Sequence, residues 1–312
     1  MNFIQQAYKG KNELWMFIIT TLLVSGIFLL NIIAFLFTSP EDMQMAYDMM
    51  KGIPANLSLV INLLPFVFLL ALLFVLVKFV HQRSILSLTT ARPKVDFKRI
   101  AFSFSLIVII TLISFGVSYY LDPSEIELQF NPTKFAILFI ISIILFPFQI
   151  GLEEYLFRGY FMQQIGVMAK NKWLPLIITS VFFGLAHSAN PEVAEMGYIT
   201  MFFYIGTGLL LGIITLMDDG LELALGFHLG NNLLAALLIT SDWSALQTDA
   251  IFRYTAEEAN NTTAEIILPL IVVYPIILLI LSKTYKWTNW NERLLGKVEA
   301  PLNIENNTTE TV

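Results

Sequence analysis

The chain has 312 residues and a formal net charge of −6, with 56% of its residues hydrophobic and only 13% charged. The charged share is about half that of soluble globular proteins, so the composition excludes a soluble fold and indicates an integral membrane protein. The absence of cysteine excludes disulfides, thiolate metal sites and cysteine nucleophiles, and the acidic balance argues against a nucleic-acid partner.

Apolar runs long enough to cross a bilayer recur along the chain. A spanning helix needs about 20 apolar residues, and the first run, Leu14–Phe37, is too long for a signal-peptide core, so we expect it to be retained as a span. The sequence therefore predicts an all-α, polytopic membrane protein with about eight transmembrane helices. The expected spans are 14–37, 57–80, 100–121, 135–153, 173–190, 197–217, 221–240 and 264–282.

Basic residues divide unevenly between the two sides that eight spans create. With the N-terminus inside, three of the 18 Lys and Arg residues fall outside, namely Lys51, Lys134 and Arg253, and all the others fall inside. Cytoplasmic loops retain positive charge, whereas translocated loops do not. We therefore expect both termini to lie in the cytoplasm.

Polarity divides the chain into four parts. Residues 1–134 carry three apolar helices, and residues 135–240 form a core whose spans contain polar side chains. Residues 241–297 supply an outer loop and the last transmembrane helix, and residues 298–312 are a polar tail that we expect to be disordered.

The first polar cluster, Glu153-Glu154 followed by Arg158, lies at the end of the fourth span. An ionisable residue at a bilayer centre costs about 2.5 to 3.5 kcal/mol on insertion scales, so it indicates function or a buried pair. Residues four apart share a helical face, whereas adjacent ones diverge by about 100°. We expect Glu154 to pair with Arg158 and Glu153 to act elsewhere as a general base. Glutamates marking an interfacial helix end would fit this segment equally well.

Two further clusters lie in spans five and seven. Phe183 precedes His187 by one turn, so its ring can shield the imidazole from lipid, although a lone histidine there could simply bond a backbone carbonyl. His228 and Asn232 share one face, so their side chains can donate two hydrogen bonds to one point, as a tetrahedral oxyanion requires. Nearby, Gly226 allows another helix to approach closely.

Taken in order, the motifs E-E-x-x-x-R, F-x-x-x-H and H-x-x-x-N resemble those of the CPBP family. That family comprises the type II CAAX prenyl endopeptidases and the related bacterial Abi and bacteriocin-processing proteins. The resemblance covers roughly residues 135–240. It implies an eight-span intramembrane endopeptidase of a bacterial cytoplasmic membrane, with catalytic residues on helices four, five and seven and a polar cavity open toward the cytoplasm.

The resemblance also implies a role for each motif residue. Glu153 and His187 would position and deprotonate the attacking water, and His228 and Asn232 would stabilise the oxyanion. The ion pair of the first cluster and the Phe183 ring would support the site. The expected partners are a membrane-associated peptide or protein substrate and the lipid bilayer.

The sequence leaves the cofactor open. Members of the family are often described as metalloproteases, and Glu153, His187 and His228 have ligand chemistry that suits Zn²⁺. The H-E-x-x-H spacing of well-understood zinc peptidases is absent, which favours a mechanism based on glutamate and histidine.

Two other classes of function remain compatible with the sequence. A non-catalytic immunity or scaffold protein could bind a partner through the same polar residues, and a transporter could use buried Glu and His to relay protons. A repeat-built transporter would show a matching pair of broken helices, which the sequence lacks. The glycines of Gly208-x-x-x-Gly212 better suit helix packing. We expect Asp218, Asp219 and Glu222 to form a solvated rim.

Overall fold

The computed structural model describes residues 1–255 and 266–301 of the chain. The helices are α1 (Leu14–Val24), α2 (Gly26–Phe37), α3 (Pro40–Lys51), α4 (Ala55–Phe79), α5 (Ile85–Thr89), α6 (Phe97–Leu121), α7 (Pro132–Glu153), α8 (Met162–Ala169), α9 (Trp173–Leu185), α10 (Pro191–Met196), α11 (Ile199–Asp218), α12 (Glu222–Leu237), α13 (Tyr274–Tyr285) and α14 (Trp290–Leu295). Two π-helical segments, Glu154–Phe161 and Pro269–Val273, join α7 to α8 and lead into α13.

The protein is a helical integral membrane protein. Five helical stretches are long and apolar enough to cross a bilayer: Ala55–Phe79, Phe97–Leu121, Pro132–Ala169, Ile199–Asp218 and Ile266–Tyr285. The pair α1 and α2 makes a sixth if it is counted as one span, but it bends by 69° at the break between the two helices.

Two of the expected spans are shorter than the sequence suggested. Helix α9 has 13 residues and ends at Leu185 instead of continuing to 190, which gives a length of about 20 Å. Helix α12 has 16 residues. Both helices carry the polar motifs, so their ends coincide with the region of the candidate site.

The chain connections collect at two ends of the helical bundle. The "basic end" contains residues 1–13, 80–96, 170–172, 219–221 and 286–301, and the "acidic end" contains residues 38–54, 122–134, 186–198 and 238–255. Of the Lys and Arg residues in the described part of the chain, only Lys51, Lys134 and Arg253 belong to the acidic end. Aspartates and glutamates predominate there: Glu41, Asp42, Asp48, Asp122, Glu125, Glu127, Glu192, Glu195, Asp242 and Asp249.

A small sheet at the acidic end departs from the all-α expectation. Its strands are β1 (Ile126–Leu128), β2 (Ile239–Thr240) and β3 (Phe252–Tyr254), in the order β1-β3-β2. Strand β3 pairs antiparallel with β1 and parallel with β2. The sheet ties the segment after α6 to the segment after α12.

The basic end is held by ion pairs, and two of the three residues expected on a solvated rim, Asp218 and Glu222, are buried instead. Asp218 is only 5% exposed and Glu222 is fully buried. Arg92 contacts both carboxylates, at 2.8 Å from Asp218 and 3.1 Å from Glu222. Asp219 pairs with Arg293 at 2.7 Å. Charges at this depth are paired because an unpaired buried carboxylate is costly.

Val298, the first residue of the expected polar tail, packs against the basic end. Val298 is 1% exposed, and its N–H donates to the carbonyl of Lys170 at 3.0 Å. Residues 302–312 of the tail lie outside the described residues.

Glycines allow two pairs of core helices to pack closely, as the sequence predicts. A Cβ at Gly226 of α12 would lie 2.1 Å from the carbonyl oxygen of Ile100 in α6, and a Cβ at Gly208 of α11 would lie 2.9 Å from the Cα of Ser180 in α9. Only glycine permits such backbone contact. These contacts hold α9 against α11 and α12 against α6, and α9 and α12 carry or lead into the histidine motifs.

Candidate active site

The two glutamates lie where α7 changes into wider π-helical turns over Glu154–Phe161. Segments of this kind are rare and occur frequently at functional sites. Arg158 Nη1 donates to Glu154 Oε1 at 2.8 Å, and both side chains are fully buried. The predicted ion pair is therefore present.

Arg158 also connects the site to two other helices. Its guanidinium lies 4.1 Å from the ring centre of Phe183, within the range of a cation–π interaction. Its Nη2 donates to the carbonyl oxygen of Gly208 at 3.3 Å. The ion pair thus holds α9 and α11 against the end of α7.

His228 lies between the two glutamates. Its Nδ1 is 2.8 Å from Glu154 Oε1, the same oxygen that Arg158 contacts. Its Nε2 lies 3.5 Å from Glu153 Oε2. A neutral imidazole donates from one nitrogen and accepts at the other. A proton on Nδ1 satisfies Glu154 and directs Nε2 toward Glu153.

Glu153 keeps one carboxylate oxygen without a hydrogen bond. Its Oε1 accepts from Gln149 Nε2, whereas Oε2 is buried and accepts no hydrogen bond from any residue that the structure describes. A buried polar atom without a partner is costly. An oxygen left in this state is suited to bind a water molecule or a substrate proton.

His187 lies in the turn after α9, not inside a span as expected. Its Nδ1 donates to the carbonyl oxygen of Phe183 at 2.7 Å, which leaves Nε2 as an acceptor. The Phe183 ring lies 4.7 Å from the imidazole, as the motif predicts. On its other side the imidazole stacks on Tyr204 at 4.4 Å and 20°. These contacts fix the orientation of the ring.

Asn232 is linked to Glu153 through Gln149. Asn232 Nδ2 donates to Gln149 Oε1 at 3.0 Å, and Asn232 Oδ1 accepts from Asn231 Nδ2 at 3.2 Å. The Asn232 amide has two donor hydrogens. One is donated to Gln149, and the other can be donated to a ligand.

A cavity of about 420 Å³ adjoins these side chains. Glu153, His187 and Asn232 line it together with Gln149 and Tyr204, whereas His228 does not line it. The structure therefore brings three of the four expected catalytic residues to one cavity. The fourth lies directly behind Glu153.

Sequence reasoning missed Gln149 and Tyr204. Gln149 precedes Glu153 by four residues in an apolar span, so the spacing rule that paired Glu154 with Arg158 would also have found it. Tyr204 offered no comparable signal, because its contact with His187 joins two helices and depends on the packing of α9 against α11. Asn190 belongs with it, since its amide donates to the Tyr204 hydroxyl at 3.2 Å.

The donor set does not fit a metal ion. No three His, Asp or Glu side chains among residues 1–255 and 266–301 converge in the way that ligands do. Nδ1 of His187 bonds a carbonyl oxygen and Nδ1 of His228 bonds Glu154, so each ring has only Nε2 left for another ligand.

Comparisons with known proteins agree with the motifs. Residues 132–234, about a third of the chain, match the family model "Type II CAAX prenyl endopeptidase Rce1-like". The "Uncharacterized protein YyaK" of Bacillus subtilis (strain 168) is 26% identical over 247 residues, which cover 77% of this chain and 83% of that protein. No solved structure matches the chain. The segment 132–234, which carries all three motifs, is therefore similar to the CAAX protease family that those motifs indicate.

Proposed function

We propose that the chain is an intramembrane endopeptidase that hydrolyses a peptide bond in a membrane-associated protein or peptide. The observation that supports this most is Glu153 itself, which lines a cavity of about 420 Å³ and keeps a buried Oε2 that lacks a hydrogen bond within the described chain. The match of residues 132–234 to the endopeptidase family model supports peptidase chemistry in general.

In the proposed mechanism, Glu153 and His187 bind the attacking water. Glu153 Oε2 and His187 Nε2 are both acceptors, so each accepts a hydrogen bond from one O–H of the same water molecule. Glu153 removes a proton as the water oxygen attacks the carbonyl carbon of the substrate. The same carboxyl group then delivers that proton to the leaving amine nitrogen as the C–N bond breaks.

The tetrahedral oxyanion requires hydrogen-bond donors. The free N–H of Asn232 supplies one. We assign the second donor to His228 Nε2, which lies behind Glu153 at 3.5 Å from its Oε2 and would approach the oxyanion from that side. Donors fixed in advance at an oxyanion commonly contribute about 10²- to 10³-fold in rate.

Single substitutions test these roles. In detergent-purified protein, His187→Ala, His228→Ala and Asn232→Ala should each reduce peptide cleavage by about 100-fold or more. Glu195→Gln, an exposed change on α10, is the matched control and should cleave at the wild-type rate. Thermal unfolding establishes that each variant remains folded. Wild-type cleavage by all three alanine variants would show that these residues do not carry the reaction.

We also propose eight membrane crossings with both termini in the cytoplasm. Helices α9 and α12 each run from the basic end to the acidic end, so they complete the five long spans and the bent pair α1–α2. The concentration of Lys and Arg at the basic end supports a cytoplasmic location for that end. The Bacillus subtilis relative supports a bacterial cytoplasmic membrane.

A further inference from the structure

The cavity beside Glu153 is lined by residues from the acidic end. Asn190 and Glu192 come from the segment between α9 and α11, and Ser244, Ala245 and Leu246 come from the segment after β2. These two segments are joined by a hydrogen bond from Ala245 N to Glu192 Oε1 at 2.8 Å. The cavity therefore extends from the candidate catalytic residues toward the acidic end of the bundle.

An apolar cluster closes the opposite side. Phe3, Ile150, Leu221 and Leu225 are buried against one another, with Tyr155 packed on them. Helix α12 starts at the basic end, so Leu221 and Leu225, which precede His228 along the chain, lie on the basic-end side of it. A polypeptide entering from the basic end would have to displace this cluster.

The charges of the two ends indicate which side of the membrane the cavity mouth faces. Ten acidic side chains and three basic ones belong to the acidic end of the described chain, and all the other Lys and Arg residues lie toward the basic end. Translocated loops are poor in Lys and Arg. The acidic end is therefore the outer end.

We infer that the site receives its substrate from the acidic end, that this substrate is a polypeptide segment outside the cytoplasm, and that Glu192 binds a basic side chain of it. The inference rests on the proposed peptidase function and replaces the cytoplasm-facing cavity that the family resemblance implies. Glu192 suits the role because it lines the cavity, while its Oε2 is buried and has no hydrogen-bond partner in the described chain. A lysine or arginine of the substrate would supply that partner.

Cysteine labelling tests the sidedness without requiring activity, because the chain contains no native cysteine. Single-cysteine variants at two exposed positions, Asp242→Cys at the acidic end and Thr288→Cys at the basic end, are treated with a membrane-impermeant maleimide. In right-side-out vesicles the first should react and the second should not, with the reverse in inside-out vesicles. The opposite pattern would place the cavity mouth in the cytoplasm and overturn the inference.

A matched pair of labelled variants tests entry to the cavity. Ser244 lines the cavity, whereas Asp242 of the same segment does not. A bulky maleimide on Ser244→Cys should reduce cleavage at least about tenfold, whereas the same label on Asp242→Cys should leave it unchanged. Equal cleavage by the two labelled proteins would show that substrate enters elsewhere. Absence of cleavage by the unlabelled wild type would count instead against the peptidase function.

A charge-neutral substitution tests Glu192. For a peptide that carries one lysine near the cleaved bond, Glu192→Gln should raise KM about tenfold with little change in kcat, because a ground-state ion pair is lost. The same peptide with glutamine in place of lysine should show no such difference. Glu195→Gln, an equal change of charge on the same helix outside the cavity, should leave both constants unchanged. Equal KM values for Glu192→Gln and the wild type would contradict the assignment.

Discussion

At the scale of single residues, the site is organised around one shared oxygen. Glu154 Oε1 contacts both Arg158 and His228 at 2.8 Å, so one carboxylate orients the two side chains that border Glu153. The sequence predicted the Arg158 contact because the spacing lies within one helix. It did not predict the His228 contact, which joins residues 74 positions apart and depends on how α12 packs against α7.

Loss of Arg158 should destabilise the fold more than loss of the whole pair. Arg158→Met leaves Glu154 buried beside no cation, and breaking a buried pair in this way costs about 3 to 5 kcal/mol. In the double variant Arg158→Met with Glu154→Gln, no unpaired charge remains, so part of the loss should be recovered. The free energies of unfolding of the detergent-solubilised variants measure both the loss of stability and its partial recovery. A single variant as stable as the double variant would contradict this account.

His81 makes stability depend on pH. It lies outside the spans, fully buried, and its Nδ1 bonds the carbonyl oxygen of Lys11 while Nε2 contacts Thr20 and Tyr160. Burial lowers the pKa of His81 below its usual value of 6.5, and the nearby Arg83 lowers it further, although the bond to Lys11 opposes both. The folded protein therefore binds this proton less readily than the unfolded chain.

A lowered histidine pKa gives stability that is present above the unfolded pKa near 6.5 and is lost as the pH falls through the folded pKa. The melting temperature should therefore fall between about pH 7.5 and about pH 5.5. His81→Gln, which cannot titrate, should show a smaller fall over the same range. An unchanged slope in the variant would assign the pH dependence to other groups.

At the scale of helices and strands, long apolar runs were enough to predict the longest spans. Helices α4, α6, α7 and α11 occupy the expected spans within a few residues at most ends. The strands have two or three residues each, too few to show an alternating pattern. The 69° bend between α1 and α2 falls at Ser25-Gly26, a pair at which helices commonly kink, and α9 ends shortly before His187 and Ser188. The expected spans ran through both positions because the flanking residues are apolar.

The approach of α12 to α6 should depend on Gly226. A Cβ there would meet the Ile100 carbonyl oxygen at 2.1 Å, so the helices must separate in Gly226→Ala. Overpacking of this kind costs about 1 to 3 kcal/mol. Gly116→Ala in α6 is the matched control, since nothing lies within 4 Å of its added Cβ. Equal melting temperatures for the two variants would show that the backbone contact is unimportant.

At the scale of the whole molecule, composition predicted a membrane protein and the motifs predicted a convergent site. The direction of the cavity was not readable, because it depends on which ends of α7, α9 and α12 meet and on the apolar cluster that closes the basic end. The uneven distribution of Lys and Arg was readable from the sequence. Only the fold, however, shows which end of the cavity this distribution places outside the cytoplasm.

The central claim is that Glu153 activates water for peptide hydrolysis inside the bundle. The most direct measurement is mass spectrometry of a membrane-peptide library incubated with purified wild-type protein or with Glu153→Gln, which keeps the shape of the side chain. We expect defined cleavage products from the wild type, and about 100-fold less of the same products from the variant. Equal product from both proteins, or no cleavage of the library by folded wild-type protein, would contradict it.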